Sequence, residues 1–193
     1  GEPGSGKTSF LSAKIIPTLQ EGFIIKGIKD WKIASFYPGI NPIRSLASAL
    51  AQVNFIRSTP NDKVDPGLIE KFEKILTHHK YGIIEILEEY KLIANCNILL
   101  NIDRLDDLFH LKKKGEDSLE LDIFLTRLEE IINQSVYPIS TIVSMRSKRS
   151  YDLASYFPDR STFIETVNKN QVNLPIFSFP DLMSSIDFFE SKG

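Results

Sequence analysis

Apolar positions along the chain recur with two periods. From Lys7 to about Leu19 they follow a helical repeat, with Pro17 and Gly22 marking its end. Trp31-Lys-Ile-Ala-Ser-Phe-Tyr37 alternates in steps of two and stops at Pro38-Gly39, which predicts a strand. Asn41 and Pro42 then open a helix to about Asn54, with proline at the first helical position, where its missing N–H costs nothing. Ser58–Gly67 has the composition of a loop, and two helices are predicted near 68–78 and 82–94. Asn97-Ile-Leu-Leu-Asn-Ile102 is a short apolar run closed by Asp103, the pattern of a buried parallel strand. Leu121, Phe124, Leu125, Leu128, Ile131 and Ile132 share one helical face. Pro138–Met145 reads as a further strand, short β runs are predicted near 163–167 and 172–177, and an amphipathic helix starts after Pro180.

Strands alternating with helices predict an α/β fold on a mainly parallel sheet, whose ligand sites lie at the carboxyl ends of the strands. The 193 residues suit one domain, or one domain and the start of a second. With 42% hydrophobic and 25% charged residues, the chain can bury an ordinary core without staples. It holds no run of about 18 apolar residues, so no membrane-spanning helix is expected. A net charge of −2 and the lack of a basic stripe weigh against nucleic acid as an obligatory partner. Acidic residues outnumber basic ones over 61–110, which reads as a solvated helical face. Cys96 is the single cysteine; it suits a reducing, cytoplasmic compartment and leaves no thiolate metal cluster.

Gly1-Glu-Pro-Gly-Ser-Gly-Lys-Thr8 matches G-x-x-x-x-G-K-[ST] at every fixed position. Glycines let successive backbone N–H groups turn inward around a phosphate, and the following helix points its positive end at the same anion. Gly1, Gly4, Ser5 and Gly6 are therefore candidate phosphate donors, with Ser9 close behind in the first helical turn. Lys7 would reach the β- and γ-phosphates, and the Thr8 hydroxyl would ligate Mg²⁺. The strand that should lead into this loop is expected before Gly1, so the chain reads as a segment of something longer.

Asp103, at the end of an apolar strand, is the second candidate Mg²⁺ ligand. Asp106 and Asp107 could orient or deprotonate the attacking water, or cap the helix from Leu108. Arg146, at the end of the neighbouring strand, could point at the γ-phosphate and stabilise charge in transfer. Lys148 and Arg149 read as solvated, Trp31 as core, and His78, His79 and His110 lack ligand spacing. No Asn-Lys-x-Asp guanine-reading motif is present, which disfavours a GTPase of the usual kind.

Together these segments resemble the novel STAND NTPases, signal-transduction ATPases related to AAA+ ATPases and to NACHT and NB-ARC switch proteins. The family opening G-x-S-G-S-G-K-S-S-L, then A-G-L-h-P-x-L (h apolar), is similar to Gly4-Ser-Gly-Lys-Thr-Ser-Phe-Leu11 and Ala13-Lys-Ile-Ile-Pro-Thr-Leu19. Its R-P-G and L-A-x-A-L segments are similar to Tyr37-Pro-Gly39 and Leu46-Ala-Ser-Ala-Leu50. Its acidic strand V-D-Q-F-E-E-L-F is similar to Ile102-Asp-Arg-Leu-Asp-Asp-Leu-Phe109, and its sensor strand to Ser144-Met-Arg146.

The resemblance implies a three-layer α/β/α P-loop NTPase core over 1–178 and the start of a helical lid over 179–193. It implies ATP or ADP with Mg²⁺ as cofactors, Lys7 and Thr8 on phosphate and metal, Asp103 as the metal acid and Arg146 as the γ-phosphate sensor. It also implies effector and sensor domains in the same longer chain, a homo-oligomer when active, and a bacterial defence or regulatory role. An AAA+-like remodelling ATPase and a nucleotide-binding scaffold are the alternatives. Four positions depart from the pattern: the aspartate pair Asp106 and Asp107 replaces the glutamate pair, Tyr37 replaces the Arg before Pro-Gly, and Lys148 stands where the family often has Asp. The shorter Asp106 and Asp107 bear on how fast hydrolysis runs.

Overall fold

In the computed structural model, the described residues are 4–22, 30–54, 64–90, 96–110, 118–134, 136–150, 153–172 and 174. Gly1, the predicted lid over 179–193 and most of the predicted 172–177 run lie outside them. Three strands, β1 (Trp31–Phe36), β2 (Asn97–Ile102) and β3 (Ile139–Val143), form a parallel sheet in the order β1-β2-β3. Phe36 pairs with Ile102 and Ile102 with Val143, so the three carboxyl ends finish level with one another. β3 is shorter than its sequence pattern suggests, and Ser144, Met145 and Arg146 follow it in irregular backbone.

The two faces of the sheet bury different helices. Ala34, Phe36, Ile98, Leu100 and Ile102 join a large core with helices α3 (Pro42–Asn54), α4 (Pro66–His78), α5 (Gly82–Glu89) and α6 (Ser118–Asn133). Trp31 and Leu99, on the other face, pack with Leu19, and Ile15, Ile16, Ile33 and Ile142 lie against them. That layer is the helix after the glycine-rich loop: α1 (Lys7–Phe10), a π-helical turn (Leu11–Ile15) and α2 (Ile16–Gln20). Pro17 does not end this helix. It lacks the N–H for a bond to residue 13 and crowds that carbonyl. The wide turn lies just ahead of it, where the ladder must adjust.

The run at 163–167 is a correction. It forms α9 (Ser161–Lys169), after two short helices, α7 (Ser147–Ser150) and α8 (Leu153–Tyr156). Thr162-Phe-Ile-Glu-Thr-Val167 has strand-like composition, but Phe163 is buried, and Ile164 and Val167 pack against the same core at helical spacing. Arg160 anchors the start of α9 on α6, donating to Glu129 Oε2 at 2.7 Å, Thr126 Oγ1 at 3.0 Å and the Asp122 carbonyl at 3.1 Å.

The α4–α5 corner depends on Gly82. A Cβ there would lie 2.7 Å from the Ile75 carbonyl oxygen and 3.1 Å from the Leu76 Cα, both backbone atoms that cannot swing away. Gly82→Ala is expected to cost about 1–3 kcal/mol of stability through overpacking, read as a lower midpoint in urea unfolding. An unchanged midpoint would show that the corner yields.

Candidate functional site

The glycine-rich loop enters its helix with Gly4 at φ 79° and Gly6 at φ 67°, the left-handed region that favours glycine. Ser5 between them is buried, and the Gly6 carbonyl accepts the first helical bond from Phe10 N–H at 2.7 Å. The Lys7 ammonium lies 3.4 Å from Ser5 Oγ, and Ser9 is exposed. The loop thus sets Lys7 and Thr8 in the first turn of a helix that lies over Leu99 of β2.

Asp103 follows the last residue of β2, and its N–H donates to the Phe36 carbonyl at 3.0 Å. The Thr8 hydroxyl donates to Asp103 Oδ2 at 2.6 Å, a contact between residues 95 positions apart. It brings the glycine-rich loop to the carboxyl end of β2. The other carboxylate oxygen, Oδ1, accepts a hydrogen bond from the Ser144 hydroxyl. A neutral hydroxyl and a carboxylate side by side are hard oxygen donors, the set that suits Mg²⁺ with its remaining positions left to water and phosphate. The donor set therefore fits that ion, which Thr8 and Asp103 could hold.

Asp106 and Asp107 lie within a 3₁₀ turn (Leu105–Asp107). Asp106 is buried: its Oδ1 accepts from the Arg146 backbone N–H at 3.3 Å, and its Oδ2 lies 2.6 Å from Arg146 Nε. That second contact is an ion pair without an in-line hydrogen bond. Asp107 is the more open of the two and pairs with Arg104 at 3.3 Å, with Arg146 3.9 Å away. Arg146 thus reaches the acidic turn rather than open solvent, and its charge is partly answered by carboxylates.

A family model, Novel STAND NTPase 1, matches residues 1–187. The chain belongs to this STAND NTPase family. Comparison with curated proteins and with solved structures gives no match. STAND membership points to a nucleotide-hydrolysing signalling module, with nucleotide and usually Mg²⁺ as its ligands. The α/β architecture with its parallel sheet is compatible with a P-loop NTPase-like fold. Among the described residues no helix is long and apolar enough to cross a membrane.

In this STAND chain the fold gathers Lys7, Thr8, Asp103, Asp106, Asp107 and Arg146 at one end of the sheet. Two polar contacts escaped the sequence reading. Ser144, the small polar residue of the Ser144-Met-Arg146 segment, bonds Asp103 directly, a meeting that the segment does not foretell. Asn101, on the β2 face under the phosphate-loop helix, donates to Ser35 Oγ at 3.1 Å, and its own amide oxygen is buried without a partner. An asparagine inside an apolar strand is the signal that could have marked it. Separately, a cleft of about 600 Å³ opens beside β3, lined by Leu128, Ile142, Phe163 and Val167 together with Lys7. Its apolar walls do not suit a triphosphate, and neither Thr8 nor Asp103 lines it.

Proposed function

We propose that the chain is the nucleotide-binding core of a signalling switch that holds ATP with Mg²⁺ and hydrolyses it slowly. The observation that carries this reading is the 2.6 Å hydrogen bond from Thr8 to Asp103, because it joins a phosphate loop to an acidic strand end. In this reading the backbone of Gly1, Gly4, Ser5 and Gly6 surrounds the phosphates, Ser9 supports the first turn, and Lys7 neutralises β- and γ-phosphate charge. Mg²⁺, when bound by Thr8 and Asp103, supplies further neutralisation of that charge.

Arg146 is placed to exchange partners. Its guanidinium now faces Asp106, and a γ-phosphate at the carboxyl edge of the sheet would compete for the same cation. ATP brings that phosphate and ADP does not, so the contact differs between the two states, as a two-state device requires. The same pairing bears on rate. Asp106 is bound by the Arg146 side chain and backbone, and Asp107 by Arg104, so neither carboxylate is disengaged as a base. That engagement is also what favours the second reading, a scaffold that binds nucleotide with little turnover. Effector and sensor domains in a longer chain, an active homo-oligomer, an adenine base and a cytoplasmic setting belong to the proposal through family resemblance.

Arg146→Ala is expected to lower ATP affinity about tenfold while leaving ADP affinity within about twofold, the size of one lost charge-assisted contact. Titrating the chain and its variant with both nucleotides checks this. An unchanged ratio of ATP to ADP affinity would remove Arg146 from the switch.

A further inference from the structure

Ser144 spends every polar group it has on one short segment. Its N–H donates to the Ile102 carbonyl at 2.8 Å, and its own carbonyl accepts from Leu105 N–H at 2.9 Å. Its hydroxyl oxygen accepts from Arg104 N–H at 3.1 Å. A hydroxyl has a single hydrogen, and Arg104 arrives as a donor, so that hydrogen goes to Asp103 Oδ1. Ser144 is buried, with 6% of its surface exposed.

The segment needs this support. Arg104 sits at φ 57°, ψ 47°, a left-handed conformation that is uncommon for a side chain of its size. The turn through Arg104 aims Asp103 toward Thr8 and carries Asp106 toward Arg146. A carboxylate on a free torsion presents either oxygen in many planes. With Oδ1 held by Ser144, the plane is set and Oδ2 is the oxygen turned to Thr8.

We propose that Ser144 is a positioning residue for the cation site, locking the Asp103 carboxylate so that one defined oxygen faces Thr8, where the two side chains would hold a metal ion. The proposal rests on the reading of Thr8 and Asp103 as Mg²⁺ holders. It assigns Ser144 no contact with nucleotide or metal. Groups that orient a metal ligand in this way typically change metal affinity 10–100-fold when removed.

The test is a titration of the full chain with ATP across a series of Mg²⁺ concentrations and in excess chelator, beside a thermal melt, for wild type, Ser144→Ala and Ser144→Thr. Ser144→Ala is expected to raise the Mg²⁺ concentration for half-maximal tightening of ATP by about 10-fold or more, with metal-free affinity within about twofold. Ser144→Thr keeps the hydroxyl and should restore the wild-type Mg²⁺ dependence even if it melts lower. An unchanged Mg²⁺ dependence in Ser144→Ala overturns the proposal. So does a loss equal in metal-free and Mg²⁺ conditions, or a Ser144→Thr variant no better than Ser144→Ala. If wild type binds ATP with no response to Mg²⁺, the cation-site reading itself falls and takes this proposal with it.

Discussion

Lys7→Ala is expected to weaken ATP binding by roughly 100-fold, enough to flatten an ordinary equilibrium titration. In the proposed reading, a lysine in the first turn of this helix would face the most charged part of a triphosphate. Removing it forfeits a charge-assisted contact and leaves that charge less neutralised in a partly dry site. The fold should survive, because Lys7 is not a core residue and Gly4 and Gly6 keep their backbone conformation without it. Lys14→Ala is the control, since Lys14 is exposed further along the same layer and should leave affinity unchanged. Unchanged ATP affinity in Lys7→Ala would sink the phosphate-loop assignment, and with it the reading of Thr8 and Asp103.

The second large effect concerns stability. Arg127 on α6 is buried; its Nε donates to the Leu76 carbonyl at 2.8 Å, and its Nη1 pairs with Glu130. Leu76 lies in the last turn of α4, where carbonyls have no partner within the helix. Arg127 therefore satisfies a helix end and brings a cation to its negative pole. Glu130 is also shielded, with Oε2 already lacking a hydrogen bond. Arg127→Ala would strand both the carbonyl and the carboxylate, a loss of about 3–5 kcal/mol. For a chain of this size that is roughly 6–20 °C in melting temperature. Replacing Arg127 and Glu130 together by Met should recover much of the loss, because the unpaired charge disappears with its partner. Urea unfolding of the three chains checks this, and a single variant as stable as wild type would show that water reaches the pair.

The candidate site was legible where its signal is local. Gly4, Gly6, Lys7 and Thr8 announce themselves within eight residues, because the loop needs glycine torsions and a helix start in sequence order. Asp103 was legible as the polar end of an apolar strand. Partners were not. Nothing in Ser144 says that it will meet Asp103, and nothing in Arg146 says that Asp106 will meet its side chain. The misread run at 163–167 has the same origin. Its composition suits a strand, and only burial of Phe163 beside Ile164 and Val167 against the core selects the helix.

The sequence by itself determined the glycine-rich turn before the first helix, the three strands, most of the helices and the residue types available for chemistry. Torsional preference and hydrophobic period act over a few neighbouring residues, so they can be read along the chain. Only the tertiary structure decided which of those residues meet. The parallel order β1-β2-β3 and its register bring Thr8 to Asp103 across 95 residues and Ser144 to Asp103 across 41. Such contacts depend on how whole faces of the sheet are buried, a choice made by the packed core and not by any one segment.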